Sequence, residues 1–174
     1  MAGTKLGYRI VFNNLPKISA KVRQEVRKVV VETTYAVEQR AKVAIQSGPK
    51  TGRIYYREDA PPHRASAPGE APATDTGDLA ASINSEMIGE LTGRVNVGAE
   101  HGVWLEFGTV GGKTITPKKG KFLVFYGADG KKVFARKVVL GPIAPRPFLG
   151  PAVEGERDNF NTDVAAAIRR GSGE

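Results

Sequence analysis

The sequence contains no cysteine. That excludes disulfide frameworks, thiolate zinc sites, iron–sulfur clusters and a cysteine nucleophile, and it fits a reducing cytosol or a particle assembled there. Histidine is nearly as scarce. His63 and His101 stand far apart, without His-x-x-x-His spacing, so a zinc site finds no support. There is no Gly-x-Ser-x-Gly elbow to nominate a serine nucleophile. The stretch Gly111-Gly-Lys-Thr114 has the end of a phosphate-binding loop, but Phe107 occupies the position of its first glycine, so it reads as a flexible turn. Glu100 and Glu106 form a carboxylate pair that nothing places across a cleft. No enzyme, metal or cofactor is expected. Long apolar runs are missing too. None approaches the roughly 18 residues of a membrane span, and polar residues interrupt Met1–Phe12 too early for a secretory segment, so neither membrane insertion nor secretion is expected.

What is present suits a single domain over residues 1–174: 40% hydrophobic and 25% charged residues, in a chain long enough to bury a core unaided. The net charge is +8, and its distribution is uneven. Lys113 to Lys137 carries Lys113, Lys118, Lys119, Lys121, Lys131, Lys132, Arg136 and Lys137 against Asp129, a local +7. Glu58 to Glu106 carries nine acids against Arg64 and Arg94, a local −7. Two readings are open: the segments meet head to tail between copies of the chain, or they fold against each other within one.

Periodicity gives the elements. Ile18, Val22, Val26, Val29, Thr33, Val37, Ala41 and Ile45 recur at steps of three and four, predicting an amphipathic helix over 17–46, opened by Pro16 and stopped by Gly48-Pro49. At about 1.5 Å per residue it spans on the order of 45 Å, enough to lie across a sheet. Val153, Arg157, Phe160, Val164 and Ile168 predict a second helix from Pro151 to about Arg169. Tyr8–Phe12 and Gly93–Val97 read as strands. Phe122–Tyr126 and Lys132–Val139 flank Gly127-Ala-Asp-Gly130, a hairpin signal, so a basic hairpin is expected over about 113–140. Its run Lys119–Tyr126 could stack bases and hold phosphates, although Phe122, Val124 and Tyr126 on one strand face and Leu123 and Phe125 on the other suit ordinary packing better. The loop Ala60–Ala73 contains four prolines, which forbid a helix interior and favour extended or turning backbone; a loop of this length is expected to be functional or disordered, ordering against a partner.

Two clusters stand out: Gly77-Asp-Leu-Ala-Ala-Ser-Ile83, and Val103-Trp-Leu-Glu-Phe-Gly-Thr109 with the later Ala144-Pro-Arg-Pro-Phe-Leu-Gly-Pro-Ala152. With Gly48-Pro-Lys-Thr-Gly52 ahead of them, this order of motifs resembles the head–tail joining, or tail-completion, neck proteins of long-tailed bacteriophages, over about Ile18 to Val153. The chain departs from the pattern in its inserted Pro-rich loop and in His101-Gly102 ahead of Trp104.

The resemblance implies a non-enzymatic virion protein at the neck, assembled in the host cytoplasm. It would form a homo-oligomeric ring of on the order of six or twelve copies, touching other neck, connector and tail-tube proteins, with the packaged DNA that passes through as a further candidate contact. Its motif residues here are Trp104, Glu106, Phe107, Gly108, Thr109, Arg146, Pro147 and Phe148, and the contact candidates are Lys118, Lys119, Lys121, Lys131, Lys132, Arg136 and Lys137. Trp104 and Phe107, three apart on one helical turn, are expected in the core; Arg146 can pair with Glu106; Phe148 is either core or an interface anchor. The expected fold is α+β, an antiparallel sheet packed against the long N-terminal helix and the C-terminal helix, with the Pro-rich loop and the hairpin as arms. A DNA-binding protein acting through the basic helix face and hairpin is the alternative. A hydrolase, tested at Glu106, is a third class.

Overall fold

A computed structural model describes residues 6–11, 20–58 and 60–173. Its elements in chain order are β1 (Leu6–Val11), α1 (Ala20–Ser47), β2 (Ile54–Tyr55), β3 (His63–Arg64), α2 (Asp78–Ala81), β4 (Ile83–Gly89), β5 (Thr92–Val97), α3 (His101–Phe107), β6 (Lys113–Ile115), β7 (Leu123–Tyr126), β8 (Lys132–Ala135), β9 (Val138–Leu140) and α4 (Leu149–Ser172). The class is the α+β arrangement expected from the sequence. Pro16, Ile18 and Phe12 lie outside the described residues.

β1, β5 and β4 form an antiparallel sheet with β5 in the middle, Tyr8 opposite Val95 and Ile83 opposite Val97. Along β5 every second residue is buried, Gly93, Val95 and Val97, so one face of the sheet is covered. α1 covers it. Its buried stripe Val22, Val26, Val29, Val30, Val37, Ala41 and Ile45 follows the helical period read from the sequence. The helix comes so close at Gly93 that an added Cβ would lie 1.9 Å from Thr34 Oγ1, a position only glycine can hold.

α4 runs antiparallel along α1. At one end Arg40 meets Glu156 at 2.6 Å; at the other Arg170 meets Glu25 at 3.3 Å, and Gly171 sits where a Cβ would come within 2.5 Å of Val22 Cα. Two clusters result. The larger joins Val37, Ala41 and Ile45 to Leu79, Ile83, Val95, Val97, Phe148, Leu149 and Ala152; the smaller joins Val22, Val26, Val29 and Val30 to Val164 and Ala167.

β4 follows no apolar alternation in the sequence because its inward Ser85 is polar. It donates a short hydrogen bond to Glu38, a buried acid on α1 that Lys42 also holds at 2.5 Å. Burial alone would raise the Glu38 carboxyl, but the bonds from Lys42 and Ser85 outweigh it and hold the group below its ordinary value.

The segment 60–73 combines extended backbone with a turn at Pro68-Gly69, where Gly69 has φ +85, and it lies against the body instead of projecting as an arm. Its β3 pairs with β2, Gly52 N donates to Ala65 O at 2.9 Å, and Gly69 N donates to Pro145 O at 2.9 Å. Ser66 is buried. Glu70 ties the loop to the Gly-Pro-x-Thr-Gly element, accepting from Thr51 Oγ1 at 2.5 Å, Thr51 N at 3.0 Å and Ala67 N at 2.8 Å. These bonds, Thr51 foremost, lower the Glu70 carboxyl from its ordinary range.

Candidate functional site

The Glu-Phe-Gly-Thr and Arg-Pro-Phe-Leu-x-Pro-Ala motifs meet at the start of α4. A helix begins with backbone N–H groups that have no intrahelical acceptor. Here the buried Glu106 takes three of them: Oε2 accepts from Phe148 N at 2.8 Å and Leu149 N at 3.0 Å, and Oε1 accepts from Gly150 N at 2.7 Å. The next residue, Pro151, has no N–H, so every donor of the first turn is accounted for. Gly150 suits the same geometry, since a Cβ there would stand a tight 3.0 Å from Glu106 Oε1 and 3.3 Å from the Tyr8 hydroxyl. Burial, and then the nearby charges of Glu106 and Glu154, raise the Tyr8 phenol above its ordinary value.

Glu106 therefore does not pair with Arg146, contrary to the sequence expectation; three backbone donors already use its oxygens. Arg146 turns to the Pro-rich loop instead. Its Nε donates to Ser66 O and its Nη1 to Ala144 O, each at 3.2 Å, and its backbone N donates to Leu105 O at 2.6 Å. Pro147 carries the extended chain into α4, and Phe148 is core, 1% exposed.

Gly108 has φ +74, and an added Cβ would lie 2.6 Å from Ile143 O, so the chain can leave α3 here only through glycine. Thr109 then closes the root of the hairpin, its N donating to Ile143 O and its Oγ1 accepting from Ile143 N, both at 2.9 Å. The motif residues thus build a joint that fixes the root of the 110–142 arm to the first turn of α4.

Trp104 and Phe107 are not core. They are 52% and 62% exposed, which corrects the expectation drawn from their spacing. The reason lies on the other side of α3. Gly102 is buried against Val97, where a Cβ would come within 2.7 Å, and Glu106 reaches α4, so these two residues, four apart, define the inner face and turn the aromatics outward.

The arm is a two-tier hairpin. β6 pairs with β9, β7 pairs with β8, and the turn closes through Gly127 N to Lys131 O at 2.8 Å with Gly130 at φ +75. Its sequence alternation does not serve ordinary packing, for Phe122, Val124, Phe125, Phe134, Val139 and Leu140 all stay exposed. Lys118, Lys119, Lys121, Lys131, Lys132, Arg136 and Lys137 are exposed with them. Lys132 pairs with Glu58, the one ion pair joining the arm to the acidic segment among the described residues, and Lys131 stands 4.0 Å from Asp129. Arg136 lies over the Phe122 ring at 5.7 Å.

Between the arm and residues 53–56 is a hollow of about 520 Å³, walled by Tyr55, Tyr56, Leu123, Phe125, Tyr126 and Leu140. His63 on β3 and His101 on α3 take part in no metal-ligating cluster among the described residues. Sequence reasoning missed Gly102 and Gly150, whose only signal is glycine inside a helix, and Glu70, three residues after Ala67 in a turn. The chain matches no family model, no curated protein and no solved structure.

Proposed function

We propose that this protein is a non-enzymatic structural component of a tailed-phage neck, forming or joining a ring that completes the tail or links it to the DNA-filled head. One observation carries the reading: a rigidly rooted arm with apolar side chains exposed on both faces, Val124 57% and Phe134 64% on one and Phe125 40% on the other, set among exposed bases. A two-stranded hairpin is marginal alone in water, and such a surface gains stability when another protein covers it. The motif residues support the same reading, because Glu106, Gly108, Thr109 and Arg146, among those that carry the resemblance to neck proteins, build the root of the arm. No catalytic step is assigned to them: the Glu106 oxygens are occupied by backbone donors.

The test is electron microscopy of lysate from a phage whose copy of this gene carries a stop codon at Trp104. Unjoined heads and tails, or heads beside malformed tails, support the neck role; normal infectious particles overturn it. Reversing the charge at Lys131 and Lys132 should lower incorporation into particles, measured by quantitative mass spectrometry.

The exposed bases Lys118, Lys119, Lys121 and Lys137, for which no acidic partner is seen among the described residues, favour a second reading in which the arm holds DNA. Duplex affinity would then fall steeply with salt through counterion release, and an absence of binding at low salt removes that reading.

A further inference from the structure

We propose that the outer face of α3 in one copy, Trp104 and Phe107, seats in the hollow beneath the arm of a second copy, making a head-to-tail contact. This deepens the ring reading by naming the two surfaces that would meet.

The knob is pinned outward. Gly102 and Glu106 hold the inner face of α3, and Gly108 and Thr109 anchor its exit, so the helix cannot turn to bury its aromatics. Glu100, at the cap of α3, is four residues before Trp104 and seven before Phe107, placing one exposed acid on the face with the two rings. The knob is thus aromatic with one exposed acid, Glu100, on its face.

The socket is its complement. The hollow of about 520 Å³ is in the size range that encloses ring systems, and its walls are tyrosine, phenylalanine and leucine. Its one charged wall residue is Arg53, whose guanidinium lies 5.5 Å from the Tyr55 ring, while Lys132, 5.9 Å over the Tyr126 ring, is paired with Glu58. α3 contributes no residue to the hollow of its own chain, and the joint holds it at the root of the arm, so an α3 that seats there belongs to a second copy. Because knob and socket are different surfaces, the contact is heterologous and repeats until a rotation closes it. Buried aromatics would supply the affinity, with the opposed charges setting register.

The experiment uses two variants of the full chain. Trp104→Ser with Phe107→Ser removes the knob and keeps the socket; Leu140→Asp spoils the socket and keeps the knob. The wild type should grow in mass with concentration by sedimentation, each variant alone should remain at one chain, and an equimolar mixture should stop at two chains. A mixture that stays at one chain overturns the contact, as does a wild type that stays monomeric at its highest soluble concentration.

A photoreactive benzoylphenylalanine at position 104 guards against a misfolded variant. In mixed light- and heavy-isotope protein it should link to residues 53–56 or 123–140 of the other chain, and links to position 104 itself or to any other surface overturn the proposal. A harmful stop codon with no mixed dimer leaves the neck role standing and refutes this contact; a mixed dimer with a harmless stop codon does the reverse.

Discussion

Replacing Glu106 tests whether the joint is held as described. Glu106→Gln keeps the shape but has one acceptor oxygen. If that oxygen faces Phe148 and Leu149, the amide NH2 points at the Gly150 N–H, which lies 2.7 Å from Oε1 in the wild type. If it faces Gly150, two donors lose their partner. Hydrogen bonds to a charged group contribute about 1.5–3 kcal/mol each, and an unmatched buried donor costs about 1–3 kcal/mol, so the substitution should destabilise by about 2–3 kcal/mol. Glu106→Ala opens all three donors in a site 4% exposed and loses the favourable negative charge at a helix start, for about 4 kcal/mol. Urea unfolding of the full chain followed by far-ultraviolet circular dichroism reads both, with the midpoint moving and the slope unchanged. A Glu106→Gln protein within about 0.5 kcal/mol of wild type, the range of ordinary surface substitutions, would refute the capping role.

Gly93→Ala forces a Cβ against Thr34 and should cost about 2–3 kcal/mol by the same unfolding assay, as overpacking does in tight interiors. Trp104→Ser with Phe107→Ser should shift monomer stability by less than about 1 kcal/mol, because both rings face solvent, whereas Phe148→Ala should cost about 3–5 kcal/mol. Acid should weaken the fold through Glu38 and Glu156, whose carboxyls sit below their ordinary value of 4.5 despite burial, held by Lys42 and Ser85 in one case and by Asn159 and Arg40 in the other. A depressed carboxyl stabilises fully above 4.5 and loses that contribution as pH falls through its lowered value, so unfolding free energy should drop below about pH 4.5; Glu38→Gln should flatten that slope, as read from urea midpoints across pH.

α1, α4, β5 and the hairpin were legible because each carries its own period or turn chemistry: valines at steps of three and four, alternation in Gly93–Val97, and Asp129-Gly130 between strands. β4 was not, because Ser85 faces inward and breaks the alternation, and its justification lies on another element, at Glu38. The motif residues were legible as a set, while their roles were not. Spacing put Trp104 and Phe107 on one face of a turn but could not say which face the protein buries. That choice belongs to Gly102 and Glu106, a glycine that permits close approach and an acid whose partners are three backbone groups more than forty residues away.

Two departures from ordinary patterning can therefore be told apart. A polar pair in the core, Glu38 with Ser85, and a carboxylate under a helix start, Glu106, each find their compensation inside the chain through named hydrogen bonds. The outward Trp104 and Phe107 and the two-sided apolar arm do not, for they stay exposed, with Arg136 over the Phe122 ring giving only partial cover. A sequence that satisfies every buried polar side chain among those residues has not failed to specify its interior. Many of its exposed large apolar side chains fall between residues 104 and 140, on either side of the joint, with Tyr35 and Val43 on α1 and Tyr55 on β2 exposed as well. The joint also explains why these surfaces can act together. With Gly108 and Thr109 fixing the arm's root and Glu106 fixing α4, knob and arm hold one relative position, as a repeating head-to-tail contact requires.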